Sequence, residues 1–314
     1  MVADDARTIH SIVRAAETAE GWTFQTSLGE IEDLLEAPHI DRGVDGRLAL
    51  LDGEPAGYAL VDHDPSGVRL ERAYLRGAVH PERRRAGVGT ALIEWSIARA
   101  TERLEAYPHD LPRYVRAPAR ESQADAIALY QRAGLVPVRY EDELLRPLEK
   151  ALEVPLAPGV EIRLWDRARD EEIRGVRNAA FADHWGSTPT SPEHWQHWLA
   201  GATVRLDLSR MAVLDGRVVG YSLNEHYPDD EELTGRRDGW IANLGVLREA
   251  RGRGIASSLI AASIDAFRAA GFTHAMLGVD TANPSGAYGL YQRLGFEPYE
   301  RWVTHELEVA RRSM

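Results

Sequence analysis

Two glycine-bearing segments are the residues whose types and spacing could do chemistry. Arg251-Gly252-Arg253-Gly254-Ile255-Ala256-Ser257 follows the apolar run Leu244-Gly245-Val246 and opens an apolar helical pattern. Arg84-Arg85-Ala86-Gly87-Val88-Gly89-Thr90 does the same after Ala78-Val79. A strand that turns through glycine into a helix leaves the first N–H groups of that helix without intrahelical partners, and the helix dipole adds positive potential. Glycine lets the backbone close on an anion with no Cβ in the way. Both segments therefore read as phosphate cradles, with Arg251 and Arg253 as further phosphate partners.

The elements that must position these cradles repeat with them. Leu51-Asp52-Gly53 followed by Gly57-Tyr58 matches Leu214-Asp215-Gly216 followed by Gly220-Tyr221, each a strand, an Asp-Gly hairpin turn and a second strand. Leu129-Tyr130-Gln131-Arg132 matches Leu290-Tyr291-Gln292-Arg293, and both are followed by a glycine at 134 or 295. The order is the same in both halves, so the chain reads as a duplicated domain. The predicted division is 1–150 and 159–314, through a segment from Glu149 to Gly159 with two prolines and no helical period.

In the second half, the pattern predicts a strand from Val160 to Trp165, a helix from about Asp170 to Phe181, and a helix capped by Ser191 before Pro192. The hairpin, a strand from Trp240 to Val246 and the cradle helix to about Ala270 follow. A strand at Ala275–Val279, a helix from Pro284 to Leu294 with Asn283 as its N-cap, and a last strand near Trp302–Leu307 complete it. The fold class is α+β: two tandem domains, each a mixed, mostly antiparallel sheet flanked by helices, with one parallel step through the cradle helix. The first half has no clear opening strand and starts in a helical pattern of Ile9, Ile12, Val13 and Ala16, so it is expected to be the degenerate copy.

Composition narrows the function. The chain of 314 residues has no cysteine, which excludes disulfides, thiolate metal sites and an acyl-cysteine intermediate, and no metal is expected. A net charge of −12 argues against nucleic acid as a partner. No apolar run approaches membrane-spanning length, and the acidic N-terminus is unlike a signal peptide, so a cytoplasmic, membrane-free protein is expected. A P-loop needs a lysine that neither cradle has. A dinucleotide fold needs a third glycine, and Leu92 and Ser257 stand where it would fall.

Arg-x-x-Gly-x-Gly/Ala after a strand, followed by Asn-x-x-x-Ala-x-x-Leu-Tyr-x-x-x-Gly-Phe, resembles the GNAT superfamily of acyl-CoA-dependent N-acetyltransferases. The residues that carry it are Arg251, Gly254, Ala256, Asn283, Ala287, Leu290, Tyr291, Gly295 and Phe296. The first copy carries Arg84, Gly87, Gly89, Leu129, Tyr130, Gly134 and Leu135, with Ser122 in the place of Asn283. The tandem layout is similar to that of the mycothiol synthases.

The resemblance implies transfer of an acetyl group from acetyl-CoA to a primary amine of a small molecule, by direct attack within a ternary complex. It implies that amides from Arg251 to Ser257, with Asn283, hold the coenzyme pyrophosphate, and that Leu244-Gly245-Val246 splay at a bulge to pair with the pantetheine arm. It places the Val246 amide at the thioester carbonyl and makes Tyr291 the acid for the leaving thiolate. In the first copy it gives Val79 and residues Arg84 to Thr90 the coenzyme role. Helical spacing alone also allows Tyr291 as core, since Ala287, Leu290 and Leu294 share its face.

The base is less defined. Mycothiol synthases place a glutamate on the strand before the cradle, at the position of Trp240 here. Glu225 is the first choice instead, beside His226 and Asp238, although each reads more readily as a solvated edge residue than as a base. The loop Asp183-His184-Trp185-Gly186 is where the family builds its acceptor pocket, although Trp185, Trp195 and Trp198 could instead pack a helix onto the sheet. The second domain is expected to be catalytic and the first to retain coenzyme binding. The alternatives are a non-catalytic acyl-CoA-binding sensor or scaffold, and a mycothiol-synthase-type enzyme.

Overall fold

The computed structural model describes residues 1–155, 158–283 and 286–310. The chain forms two compact units, but these are not the two linear halves. One contains Met1–Tyr140 together with the chain from Trp302; the other is Glu141–Arg301. Each is described by itself below. Among the described residues no helix is long and apolar enough to cross a membrane.

The N-terminal unit begins with α1 (Ala6–Ala19), α2 (Leu28–Leu35) and the short α3 (Arg42–Asp45). The apolar spacing read in the sequence buries Ile9, Ile12 and Ala16 of α1. Ser27 starts α2 through a capping box with Glu30, which satisfies two backbone donors reciprocally. The sheet strands are β1 (Gly46–Leu51), β2 (Glu54–Asp62), β3 (Glu71–Val79) and β4 (Arg113–Arg120), with α4 (Val88–Glu105) between the last two. The hairpin turn has Asp52 at φ 54° and Gly53 at φ 83°, the left-handed pair that matches strand twist. β1–β2 and β2–β3 are antiparallel, whereas β3 and β4 run parallel across the cradle helix. Alternation along β2 divides the core. Tyr58 and Leu60 pack with Ile9, Ile31 and Leu35, and Ala59 packs with Val88 and Leu92 of α4. Each fully buried aliphatic of this kind stabilises the fold by roughly 1.5–3 kcal/mol. After β4 come α5 (Ala124–Arg132) and β5 (Val136–Pro147).

The C-terminal unit repeats this order, now with an opening strand: β6 (Val160–Leu164), α6 (Asp170–Ala180), α7 (Pro192–Leu199), β7 (Arg210–Leu214), β8 (Arg217–His226), the short α8 (Glu231–Thr234), β9 (Asp238–Val246), α9 (Ile255–Ala269), β10 (His274–Asp280), α10 (Ala287–Arg293) and β11 (Glu297–Glu308). β6–β7–β8–β9 are antiparallel and β9–β10 are parallel, which is the predicted sheet class. Ser191 caps α7 by accepting from the His194 amide, as its position before proline predicts.

The linear division fails because each half gives its last strand away. Residues 141–147 of β5 pair antiparallel with β10 in the C-terminal unit. Residues 302–308 of β11 pair antiparallel with β4 in the N-terminal unit. The buried Arg116 on β4 meets Glu306 on β11 at 2.7 Å, and Asp142 on β5 accepts from Tyr288 and Arg301. The segment expected as a linker packs down: Leu148 lies in the C-terminal core, Leu152 and Val154 lie against it, and the Arg268 guanidinium donates to Leu148 O at 3.0 Å. Of the expected helix from Pro284, residues 284–285 lie outside the described residues. The helix starts at Ala287 with Gly286 at its N-cap, φ +72°, so Asn283 is not the cap. It sits in the turn that leaves β10, its amide bonded to Asp280 O.

Candidate functional site

The two cradles have one backbone. Gly252 and Gly254 lie at φ +75° and +82°; Arg85 and Gly87, in the equivalent places, lie at +63° and +83°. Gly254 and Gly87 are the N-caps of α9 and α4. A Cβ added at Gly87, Gly252 or Gly254 would meet nothing within 4 Å, so the space over each turn is open to a ligand. The first backbone bonds of the helices are Ala91 N–H to Gly87 O and Ser258 N–H to Gly254 O. The amides of 88–90 and 255–257 are therefore those a helix start leaves without intrahelical acceptors. Arg85 in the left-handed region costs about 1–2 kcal/mol that glycine at 252 avoids.

Arg251 and Arg84 are placed differently from the expected phosphate partners. Arg251 Nε donates to Val246 O at 3.1 Å and its terminal nitrogen to Ala180 O at 2.8 Å. Arg84 Nε reaches Val79 O at 3.4 Å, and its terminal nitrogen meets Glu20 at 2.6 Å. Each arginine ties the end of its strand to the helix packed beside it, which fixes where the turn begins.

Upstream of each cradle the two parallel strands part. β9 and β10 pair only from Asp238 to Trp240 with His274 to Met276, and β3 and β4 only from Glu71 to Tyr74 with Arg113 to Arg116. Beyond these, both strands continue without pairing to each other. The Leu247 amide donates to Val219 O, so the neighbouring pair Gly220–Val246 is the non-hydrogen-bonded kind. This turns the N–H of Val246 away from β8, toward the opening. One difference separates the copies: β9 carries a bulge at Ala242, where the register slips against Leu223 and Asn224, while β2–β3 runs unbroken.

Tyr291 and Tyr130 stand on the helices after the splayed strands. Burial pushes each hydroxyl up to about 12. Tyr130 donates to Pro118 O at 3.4 Å. Tyr291 has no hydrogen bond among the described residues, and its ring packs on Phe296 and the C-terminal core. The ring is therefore anchored in the core, while the hydroxyl has no hydrogen-bond partner among the described residues.

The base candidates are buried, not solvated edge residues. Glu225 lies opposite Trp240 and accepts from Trp198 Nε1 at 3.0 Å and from the Tyr227 hydroxyl at 2.6 Å. His226 meets Glu231 at 2.8 Å, and burial foremost lowers its pKa. Asp238 is held by Arg236. Glu225 and His226 are buried because residues 203–205 return over the end of β8: Val204 bridges Glu225, and the His226 amide donates to Thr203 O. In the expected acceptor loop, Asp183 meets Arg248 at 3.4 Å and the His184 ring packs on Phe181. Trp195 is wholly core and Trp198 packs against it, whereas Trp185 belongs to neither cluster.

Sequence reasoning missed a cavity of about 410 Å³ in the N-terminal unit. It starts at the cradle (Gly87, Gly89, Thr90), passes Val79 and Tyr130, and reaches Glu17, Tyr58 and Trp302. Its walls include α4 on one face of the sheet and α1 on the other, so it runs through the gap between β3 and β4. Trp302 could not have been assigned to it from sequence, because that residue arrives on the exchanged strand.

The profile of the Acetyltransferase (GNAT) family matches residues 10–135 and 171–296, one match for each cradle. A mycothiol acetyltransferase of Thermomonospora curvata is 32% identical over 80% of this chain and 78% of its own. One from Streptomyces griseus subsp. griseus is 28% identical over 98% of this chain and 92% of its own. Among solved structures, a GCN5-related N-acetyltransferase from Sphaerobacter thermophilus shares 26% identity at a TM-score of 0.73, covering 99% of this chain and 95% of that one. A tandem GNAT protein from the clavulanic acid biosynthesis pathway shares the fold at a TM-score of 0.69 and 18% identity, covering 100% and 98%. Two cradles, two splayed strand pairs and two family matches lead to one conclusion: the chain is an acyltransferase and belongs, as a tandem member, to the acetyltransferase (GNAT) family.

Proposed function

We propose that the C-terminal unit transfers an acetyl group from acetyl-CoA to a primary amine of a small molecule, and that the N-terminal unit retains coenzyme binding. The residues fit that group: both cradles are open, and both lead into a strand gap. Acetyl-CoA, when bound, supplies an acetyl group activated as a thioester. The amides of Gly252 to Ser257 receive the pyrophosphate. Leu244 and Val246 offer main-chain groups to the pantetheine arm, and the Val246 N–H faces the oxygen that gains charge as the amine attacks. Tyr291, kept protonated by burial, returns a proton to the leaving sulfur. Glu225, held in place by Trp198 and Tyr227, takes the proton the amine gives up.

The observation that carries this assignment is the uncommitted Tyr291 hydroxyl beyond a bulged strand, against a bonded Tyr130 beyond an unbroken one. The test is thiol release from acetyl-CoA across a panel of primary amines, with Tyr291→Phe and Tyr130→Phe compared. Loss confined to Tyr291→Phe supports the assignment, and loss confined to Tyr130→Phe reverses it. The relatives named mycothiol acetyltransferase favour a second reading, in which the acceptor is the amine precursor of mycothiol. Trp240, packed edge-on against Tyr227, occupies the place where that resemblance expects a glutamate. Including that amine in the panel separates the two readings.

A further inference from the structure

The two strand gaps differ in what crosses them at their open ends. In the N-terminal unit a chain of side chains runs from the end of β3 to the end of β4. Arg84 Nε donates to Val79 O at 3.4 Å, and its terminal nitrogen donates to Glu20 Oε1 at 2.6 Å. Glu20 Oε2 accepts from Gln123 Nε2 at 2.8 Å and from Trp22 Nε1 at 3.0 Å. Gln123 Oε1 in turn accepts from the Arg120 amide at 2.8 Å. Val79 is the last residue of β3 and Arg120 the last of β4. Both anchors are therefore main-chain groups on the strands that have parted, and one carboxylate joins them. A second link, Arg85 to Asp125 at 2.8 Å, passes from the cradle to α5. Its partners are 78% and 66% exposed, and an ion pair so open contributes little. The Arg84–Glu20 pair is partly buried, so the path through Glu20 is the one that holds.

The equivalent positions of the C-terminal unit cannot build this crossing. The two family matches begin at residues 10 and 171, an offset that carries Glu17 onto Asn178 and Glu20 onto Phe181. Glu20 and Phe181 are the C-caps of α1 and α6, and the Phe181 ring packs on His184. Gly252 stands at the place of Arg85. The repeated Leu-Tyr-Gln-Arg run puts Pro284 at the place of Gln123 and Gly286 at that of Asp125. Phenylalanine, glycine and proline side chains offer neither donor nor acceptor. Arg251 keeps the bond to its strand end, at Val246 O, but its terminal nitrogen goes to Ala180 O, so it ends on α6. Parted strands present main-chain groups that an extended arm can pair with, as an added strand does. In the N-terminal unit Arg84, Glu20 and Gln123 lie in the wall of the cavity, across that path.

We propose that Glu20 is the latch of an autoinhibitory strap, which closes the N-terminal gap to the pantetheine arm and leaves the cradle open to the nucleotide end of the coenzyme. The inference rests on the reading of the N-terminal cradle as a retained coenzyme site. An arm that enters this gap must first part Glu20 from Gln123, and that rupture weakens binding. The test uses the full chain carrying Gly254→Glu, so that the C-terminal cradle is filled. Coenzyme A, and adenosine 3′,5′-bisphosphate, which lacks the arm, are titrated calorimetrically with and without Glu20→Ala. Glu20→Ala is expected to tighten coenzyme A by at least about tenfold and the bisphosphate by less than about threefold. Equal tightening of both reports only a negative charge removed near the cradle, and overturns the strap. Coenzyme A binding that Glu20→Ala leaves unchanged or weakens also overturns it. Gln123→Ala cuts the same crossing with no change of charge and should tighten coenzyme A by at least about threefold; no tightening rejects the strap. If Glu20→Ala does not fold by circular dichroism, Gln123→Ala decides alone. Bisphosphate binding with no Glu20 effect on coenzyme A defeats only this inference. Failure of every variant to bind either ligand at millimolar concentration defeats the retained cradle as well.

Discussion

At the cradle the N-terminal unit uses Arg85 and Gly87 where the C-terminal unit uses Gly252 and Gly254, and the turn comes out the same. Above the cradle the copies part. The C-terminal unit has a bulged strand, an uncommitted tyrosine hydroxyl and neutral groups at the facing positions: Asn178, and Asn243, which accepts from Tyr221. The N-terminal unit has an unbroken strand, a bonded tyrosine and charged groups at those positions: Glu17, and Arg76, which pairs with Asp62 at 3.0 Å. The lesson is that the backbone of the turn persists through duplication, whereas the side chains that face the strand gap are free to change.

The largest expected effect breaks the symmetry of the cradles. Gly254→Glu puts a side chain and a negative charge over the proposed pyrophosphate site at a left-handed position. It is expected to lower acetyl transfer by on the order of a thousandfold, with Gly87→Glu lowering it less than about threefold. The reverse ranking moves the chemistry to the N-terminal unit. Next comes the proton. Tyr291→Phe should cost about a hundredfold in kcat and Tyr130→Phe almost nothing, as expected for loss of a general acid. Because burial raises the Tyr291 pKa to about 12, the acid form persists above the ordinary tyrosine range. No fall in kcat traceable to this group is expected between pH 8 and pH 10, and a tyrosine-dependent fall there contradicts the burial argument.

A third test addresses the exchanged strands. Glu306→Ala removes a carboxylate partner of the buried Arg116 and should destabilise by about 3 kcal/mol. Hydrogen exchange should place the loss in β1 to β4, not in the β6–β10 sheet. Loss in the C-terminal unit instead would contradict the assignment of β11. Arg251→Ala should raise KM for acetyl-CoA about fivefold with kcat held, since the arginine shapes the turn from outside the reacting centre. The smallest effect concerns Glu17. Its folded pKa is raised above the unfolded value, so its contribution to stability is fully present below the unfolded pKa and is lost as pH rises through the folded one. Glu17→Gln should therefore melt higher than the natural chain at neutral pH, and the gap should close on acidification toward pH 4. A gap that widens in acid has the wrong sign.

The sequence by itself determined the local devices. Glycine at 87, 252 and 254, Asp-Gly at the hairpins, Ser191 before Pro192 and the apolar period of α1 each act over a few residues, where sterics and hydrogen bonding leave little choice. Repetition of those devices made the duplication legible, and their combination made the family legible. The closing strands were decided only by the tertiary structure. Nothing in the sequence of β5 or β11 names its partner strand; long-range pairs such as Arg116 with Glu306 and Asp142 with Arg301 form only once the strands are placed. Tertiary structure also decided the environment of each charged candidate. Glu225 is buried because residues 203–205 return over it, and Arg251 serves the turn because the carbonyls of Val246 and Ala180 converge on it. Glu17 came to line a cavity only when α1, the gap between β3 and β4, and Trp302 from the far end of the chain met around it. A residue's type sets what chemistry it can do; burial and partners, which depend on chain segments hundreds of residues apart, set whether it does so.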